Sequence, residues 1–216
     1  MERLEEMSEF FAARLSEYDE HMLSCVEGCR EGYIKMAELV PKNAKTLLDL
    51  GCGTGLELYE IFKRIPDMEV TGVDLTAAML QRLREKYPDK KLKLICGDYF
   101  TVPFGRDFDC AISFQTMHHF KKDKKAELYK KIYSALADKG VYIECDYMVL
   151  TQQEEDLWFA ANDRIRKEQG IGDDEFYHYD TPCTIDNQIA LFKGAGFKDV
   201  KMTFRQENTT MLIARK

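Results

Sequence analysis

Leu47-Leu48-Asp49-Leu50-Gly51-Cys52-Gly53-Thr54-Gly55 decides the fold: an apolar run carrying one acid breaks into glycines at alternate positions, and a helix-forming stretch follows. The apolar run predicts a buried strand. Glycines at 51, 53 and 55 let the chain turn sharply and let a ligand come close to the peptide groups, where a Cβ would stand in the way. A helix over Leu56–Arg64 then aims its unpaired N–H groups and the positive end of its dipole at the same place. Strand, bare loop and helix N-terminus together make a ligand cradle.

The spacing narrows the ligand. A dinucleotide fingerprint, G-x-G-x-x-G, puts its third glycine where this chain has Leu56, and the third glycine here is Gly55. A phosphate P-loop needs a Gly-Lys-Ser/Thr ending that is missing. What remains is D-x-G-x-G-x-G. An acid at Asp49 sits badly beside a pyrophosphate and suits a ligand carrying an amine or a sulfonium. Residues 49 to 55 resemble motif I of the class I, Rossmann-like S-adenosylmethionine-dependent methyltransferases.

Three further strand-ends follow in order. Met68-Glu69-Val70-Thr71-Gly72-Val73-Asp74 is a short strand closing on an acid, about 20 residues past the glycine loop, where a doubly wound fold sets a carboxylate against a ribose. Leu92-Lys93-Leu94-Ile95-Cys96-Gly97-Asp98-Tyr99 ends on a second acid. Phe108-Asp109-Cys110-Ala111-Ile112-Ser113-Phe114 opens into Gln115-Thr116-Met117-His118-His119-Phe120, similar to the S-x-x-x-x-H-H-Φ run after strand four of many small-molecule members. The resemblance implies S-adenosyl-L-methionine as cofactor. Its methionine portion would face Asp49, Gly51, Cys52, Gly53 and Gly55, and its ribose Asp74, with Leu75 and Met79 beside it. Asp98 would take the adenine amine, with Tyr99 or Phe100 flanking the ring, and Phe114 and Gln115 would lie near the sulfonium.

The implied fold is α/β: a doubly wound, mostly parallel seven-stranded sheet with an antiparallel C-terminal strand, an N-terminal helical cover and a helical insertion after strand five. The chain of 216 residues is long enough for one such domain and short for two. It divides into an N-terminal helical lid (1–40), a cofactor-binding core (43–150), a helical insertion and loop (151–183), and a C-terminal helix with a closing hairpin (184–216). The first 40 residues read as two helices, from apolar stripes at Leu4, Met7, Phe10, Phe11, Leu15 and Tyr18 and at Ile34, Met36, Ala37, Leu39 and Val40. Thr76 reads as an N-cap, residues 184 to 195 as a helix capped by Gly194 and Gly196, and 197 to 204 and 209 to 214 as strands.

A net charge of −7 argues against a nucleic-acid partner, which needs clustered Lys and Arg. The only dense basic run, Lys121-Lys122-Asp123-Lys124-Lys125, reads as the solvated face of a helix. No apolar run reaches the ~18 residues of a membrane span, and the N-terminus lacks a signal-peptide pattern, so a cytoplasmic protein without membrane partners is expected. Seven scattered cysteines fit reduced thiols. Cys25 and Cys29, four apart, would share one helix face as small buried hydrophobes, and no metal site is expected. The oligomeric state is not legible.

Methyl transfer from a sulfonium is an in-line displacement, so an enzyme of this class mainly aligns its acceptor and excludes water. A base is needed only if the acceptor must lose a proton. His118 and His119 can serve as that base, or one packs against the cofactor while the other caps the next helix. Tyr18 and Tyr33 are candidates to fold over the sulfonium, or are half-buried helix residues. Residues 175 to 182 combine aromatic and titratable side chains, and either line the acceptor pocket or form a surface hairpin. Pro182-Cys183 lies beyond strand five and does not mark a cytosine enzyme. The leading reading is methyl transfer to a small-molecule acceptor. The alternatives are a carboxy-S-adenosylmethionine synthase-like enzyme, which needs an arginine such as Arg164, Arg166 or Arg205, and a non-catalytic cofactor-binding regulator.

Overall fold

The computed structural model describes residues 3 to 216. Four parallel strands, β1 (Thr46–Leu50), β2 (Glu69–Asp74), β3 (Leu92–Cys96) and β4 (Phe108–Phe114), are joined by β5 (Leu136–Tyr147), β6 (Lys198–Gln206) and β7 (Thr209–Arg215). Their order is β3-β2-β1-β4-β5-β7-β6, with β7 antiparallel to both neighbours. This is the expected doubly wound sheet with an antiparallel C-terminal strand. The chain reverses its direction of travel between β1 and β4, so the crevice outside their carboxyl ends is where a ligand belongs.

Period-two alternation sends side chains into two cores. Leu47, Cys110, Ile112 and Ile143 meet α3 (Cys29–Leu39), α4 (Leu56–Arg64) and α5 (Ala77–Lys86) on one face. Leu48, Leu50, Ala111 and Tyr142 meet α6 (Lys122–Ala135) and α8 (Ile185–Gly194) on the other. Thr76 occupies the N-cap position of α5, but its side chain caps nothing. Asp74 does that work instead, its Oδ1 accepting from the Thr76 N–H at 2.8 Å. Gly194 is the last residue of α8, and Ala195 occupies the C-cap.

The N-terminal cover holds three helices where the sequence predicted two. A break at Arg14 separates α1 (Met7–Ala13) from α2 (Leu15–Ser24), and the apolar stripe runs across it unbroken. Cys25 ends α2 and Cys29 opens α3, so they share no helix face, because Gly28 turns the chain at φ 78° between them. The insertion is one helix, α7 (Gln152–Gln169), started by a Thr151–Glu154 capping box and ended by Gly170.

The basic run at the start of α6 is not a solvated face. Lys121 pairs with Asp163 and Asp173, Lys124 with Asp174, and Lys122 with the fully buried Glu155. Lys125 is itself fully buried and donates to the Thr181 carbonyl at 3.4 Å. The acidic insertion docks on this helix, a partner that local sequence could not reveal. No helix among the described residues is long and apolar enough to cross a membrane.

Candidate active site

Backbone geometry explains the cradle. Gly51, Gly53 and Gly55 all have positive φ, at 72°, 44° and 73°. A Cβ on Gly51 would fall 2.6 Å from Tyr99 Oη and 2.7 Å from Thr116 Oγ1, so only glycine fits. A Cβ on Gly53 would meet nothing nearer than Tyr18 Oη at 3.8 Å, across the cleft. The Gly53 N–H donates to Asp74 Oδ2 at 2.9 Å. Asp74 therefore ties the loop after β1 to the start of α5. Burial raises its carboxyl, and the Thr76 and Gly53 N–H groups oppose that rise.

A cleft of about 60 Å³ lies at this edge, lined by Gly51, Gly53, Asp74, Leu75, Met79, Asp98, Tyr99 and Gln115. Each of these was a sequence candidate. Its volume falls below the roughly 300 Å³ of ordinary small-molecule sites, because Met7, Phe11 and Tyr18 of the N-terminal helices close over it. The cover is pinned at both ends. Asp19 accepts from Thr54 of the glycine loop and pairs with Lys86 at 2.9 Å, while the Met7 N–H donates to the Phe176 carbonyl at 2.9 Å.

Besides His118 and Phe100, five sequence candidates do not line the cleft. Cys52 packs against Gly72 in the core, Gly55 is the turn into α4, and Tyr33 stacks on Phe114 with ring centroids 4.1 Å apart. Asp49, on the face of β1 that α4 covers, is 1% exposed and lies beneath the loop. It faces Glu57, a buried residue of α4's first turn. Burial raises both carboxyls, Glu57 to about 7. Asp49 Oδ2 and Glu57 Oε1 lack any donor, so a proton held between them satisfies both.

Beyond the cleft opens a larger cavity of about 690 Å³. Phe11, Tyr18, Gln115 and His119 line both spaces. Gln115 sits at this junction in the left-handed region, φ 49°, held by its N–H to the Cys145 carbonyl at 2.8 Å and by Nε2 to Thr209 Oγ1 at 3.1 Å. A left-handed φ at a non-glycine residue costs energy that these two hydrogen bonds offset.

The far wall carries His118, His119, His178 and Asp180. His118 and His119 form a 3-10 turn after β4. His118 Nδ1 bonds Asp146 Oδ1 at 2.6 Å. Burial lowers the His118 imidazole, and Asp146 and Asp180 more than reverse that, leaving it raised. His119 is lowered by burial and by its neighbour His118, and His178 falls to about 4 for the same two kinds of reason, burial first and the His119 charge next. Asp180 reaches this wall because Thr181 straps the turn: its N–H and Oγ1 both donate to the His118 carbonyl, at 2.6 and 2.9 Å.

Sequence reasoning missed Glu57, Thr116 and Asp146, while the 175–182 segment, expected either to line the acceptor pocket or to form a surface hairpin, brings His178 and Asp180 to the wall of the larger cavity. Asp146 near the end of β5 could have been found by the logic that found Asp74, an acid closing a parallel strand. What local sequence does not show is that Phe11 and Asp180 meet the two histidines, since that depends on how the cover and the insertion fold back.

Residues 47–140 match the family described as "Methyltransferase domain". The chain is 30% identical over 189 residues to the carboxy-S-adenosyl-L-methionine synthase of Helicobacter pylori strain G27, covering 81% of this chain and 77% of that protein. It is 27% identical over 230 residues to the synthase of the same name from a Nitratiruptor species, covering 99% and 95%. Among solved structures, the DhpI-SAM-HEP complex superposes with a TM-score of 0.72 at 16% identity, covering 96% of this chain and 95% of the other. Human N-acetylserotonin methyltransferase in complex with SAM gives 0.66 at 17% identity, and the chain spans 55% of its length. The protein belongs to the class I, Rossmann-like S-adenosylmethionine-dependent methyltransferase family. S-adenosylmethionine is its cofactor, and the glycine cradle that a Cβ would fill fits it.

Proposed function

We propose that this protein transfers the methyl group of S-adenosylmethionine to a small-molecule acceptor held in the larger cavity, in the cytoplasm and without a nucleic-acid or membrane partner. The observation that carries this reading is the wall that cofactor cleft and cavity share at Phe11, Tyr18, Gln115 and His119. The bound cofactor supplies an activated leaving group, so the protein's task is alignment and exclusion of water. Tyr18, whose phenol burial and the nearby Glu57 and Asp74 carboxylates keep protonated, presents an aromatic ring to the sulfonium. Asp74 and Asp98 would hold the adenosyl end, and Gln115 and His119, which line both spaces, would flank the path of the methyl group. The histidine–aspartate wall then faces the acceptor, which suits an acceptor with an ionisable oxygen or nitrogen.

A second reading, carboxylation of the cofactor, is favoured by the names of the curated relatives. It calls for a cation beside the added carboxylate. No lysine or arginine is among the described residues lining the cleft, and Arg14, which lines the larger cavity beside it, pairs with Glu5 at 2.8 Å. Arg166 donates to the Gly172 and Glu175 carbonyls and Arg205 to Thr210 and the Met148 carbonyl, so both serve the fold. Purified protein incubated with S-adenosylmethionine and a panel of phenols, carboxylates, amines and thiols tests the two. S-adenosylhomocysteine together with an acceptor one methyl heavier is expected. Carboxylated cofactor co-purifying with the protein favours the second reading, and cofactor binding without any product favours a regulator.

A further inference from the structure

Three donor atoms from two distant parts of the chain, the turn after β4 and the loop after α7, converge at the wall of the larger cavity. Asp180 Oδ1 lies 3.5 Å from His118 Nε2 and 3.4 Å from His119 Nδ1, and one donor atom from each residue falls within 4.8 Å of the others. These separations are long for hydrogen bonds. His119 Nδ1 and Asp180 Oδ1 are buried and have no hydrogen-bond partner. The same separations match an edge of a coordination tetrahedron, since two ligands each about 2.0–2.1 Å from one ion stand roughly 3.3 Å apart.

The surroundings are those of a prepared site. His118 turns Nε2 to the cluster because its other nitrogen is taken by Asp146 at 2.6 Å. A carboxylate behind a histidine in this way fixes ring orientation and tautomer for metal binding. The two hydrogen bonds that Thr181 donates to the His118 carbonyl hold Asp180 in place, and Lys125 donates to the Thr181 carbonyl. His178 stands beside His119, with ring centroids 5.0 Å apart. The remaining direction opens into the cavity.

We propose that His118, His119 and Asp180 bind a divalent first-row transition metal, the two-imidazole, one-carboxylate set that suits zinc(II) or iron(II) with a position left open. The open position would take an oxygen of the acceptor, lower its pKa and hold it toward Gln115 and Tyr18. This step rests on the methyl-transfer reading. The metal site itself does not.

The test uses the tag-free full chain, stripped with a chelator and titrated with Zn²⁺ by calorimetry and with Co²⁺ by visible absorption. Uptake of one ion per chain is expected, with the ligand-field bands of a low-coordinate nitrogen–oxygen site. Asp180→Asn and His118→Gln should abolish uptake, and Asp146→Asn should weaken it by about 10–100-fold. Neither Asp180 nor His118 lines the cofactor cleft, so retained S-adenosylhomocysteine binding certifies that those variants are folded. No uptake by the stripped parent protein would overturn the proposal and leave the cluster as an ion-pair network. Uptake that is unchanged in Asp180→Asn would overturn it equally. Failure here leaves methyl transfer standing, because that is read separately from S-adenosylhomocysteine formation in the acceptor panel.

Discussion

The two halves of the site are assembled differently. On the cofactor side, Gly51, Asp98 and Gln115 follow the ends of β1, β3 and β4 and Asp74 closes β2, and the sheet order brings those ends together. On the side of the proposed acceptor cavity, His118 and His119 meet Asp146 from the next strand, Asp180 from beyond the insertion, and Phe11 from near the N-terminus. The first half is a property of the doubly wound sheet. The second exists only when two peripheral segments, α1 and the loop after α7, clasp one another through the bridge between Glu6 and Tyr177 and the stack of Phe10 on His178. A common scaffold can thus keep one ligand while its added segments define another.

That contrast breaks most easily at Glu155. Its buried carboxylate accepts from the Thr184 N–H at 2.5 Å and from Asn187 Nδ2 at 2.8 Å, and pairs with Lys122. One side chain therefore ties α7 to α6 and α8. Glu155→Ala leaves the buried Thr184 N–H and the Asn187 amide without their acceptor and the part-exposed Lys122 without its partner, and about 3 kcal/mol of stability should be lost in urea unfolding. Despite the opposing effect of burial, Lys122, Asn187, Thr184 and Gln152 hold the carboxyl at about 2, below its ordinary 4.5. Its contribution is therefore complete above pH 4.5 and disappears as the pH falls toward 2. Unchanged stability in Glu155→Ala would mean that the acceptor half does not hang on this anchor.

The cofactor half should fail through its backbone. Gly51→Ala combines a positive φ with a Cβ in contact with Tyr99 and Thr116, an expected cost of about 3 kcal/mol in cofactor affinity by calorimetry. Asp74→Ala should cost about 2 kcal/mol, because it leaves the Gly53 and Thr76 N–H groups unpaired and removes an acceptor for the ribose. Both variants should keep the acceptor half intact. Parent-like affinity in Gly51→Ala would show that the loop yields and that its shape is not what selects the ligand.

The same contrast explains what could be read from residues alone. Strand-ends and glycine spacing are local, so the sheet, its order of elements and the residues from Gly51 to Gln115 that line the cleft were legible. The site on Asp49 was not. Period-two alternation fixes which face a strand residue takes, but the burial of Asp49 against Glu57 depends on how closely α4 lies over the loop. The basic run at Lys121-Lys122-Asp123-Lys124-Lys125 misled for a related reason, since solvation is the correct reading of such a run unless an acidic partner arrives from elsewhere in the chain. Asp180 illustrates the limit: nothing near it in sequence announces a pair of histidines some sixty residues away.

The smallest expected effect concerns Asp49 and Glu57, the titratable pair buried under the cofactor cradle. Because burial raises both carboxyls, the pair favours its protonated form, and its contribution to stability is lost as the pH rises from 4.5 through about 7. A cationic ligand above it acts in the opposite sense, stabilising the ionised pair. Affinity for S-adenosylmethionine should therefore rise across that interval, with proton release detectable by calorimetry in buffers of different ionisation enthalpy. Glu57→Gln keeps the side chain's size and removes one titrating group, so it should flatten this pH dependence while changing affinity at neutral pH by less than about tenfold, or ~1.4 kcal/mol. If the slope survived in Glu57→Gln, the proton would have to come from another group at the cradle, with Asp74, also raised by burial and in direct contact with the glycine loop, the next residue to substitute.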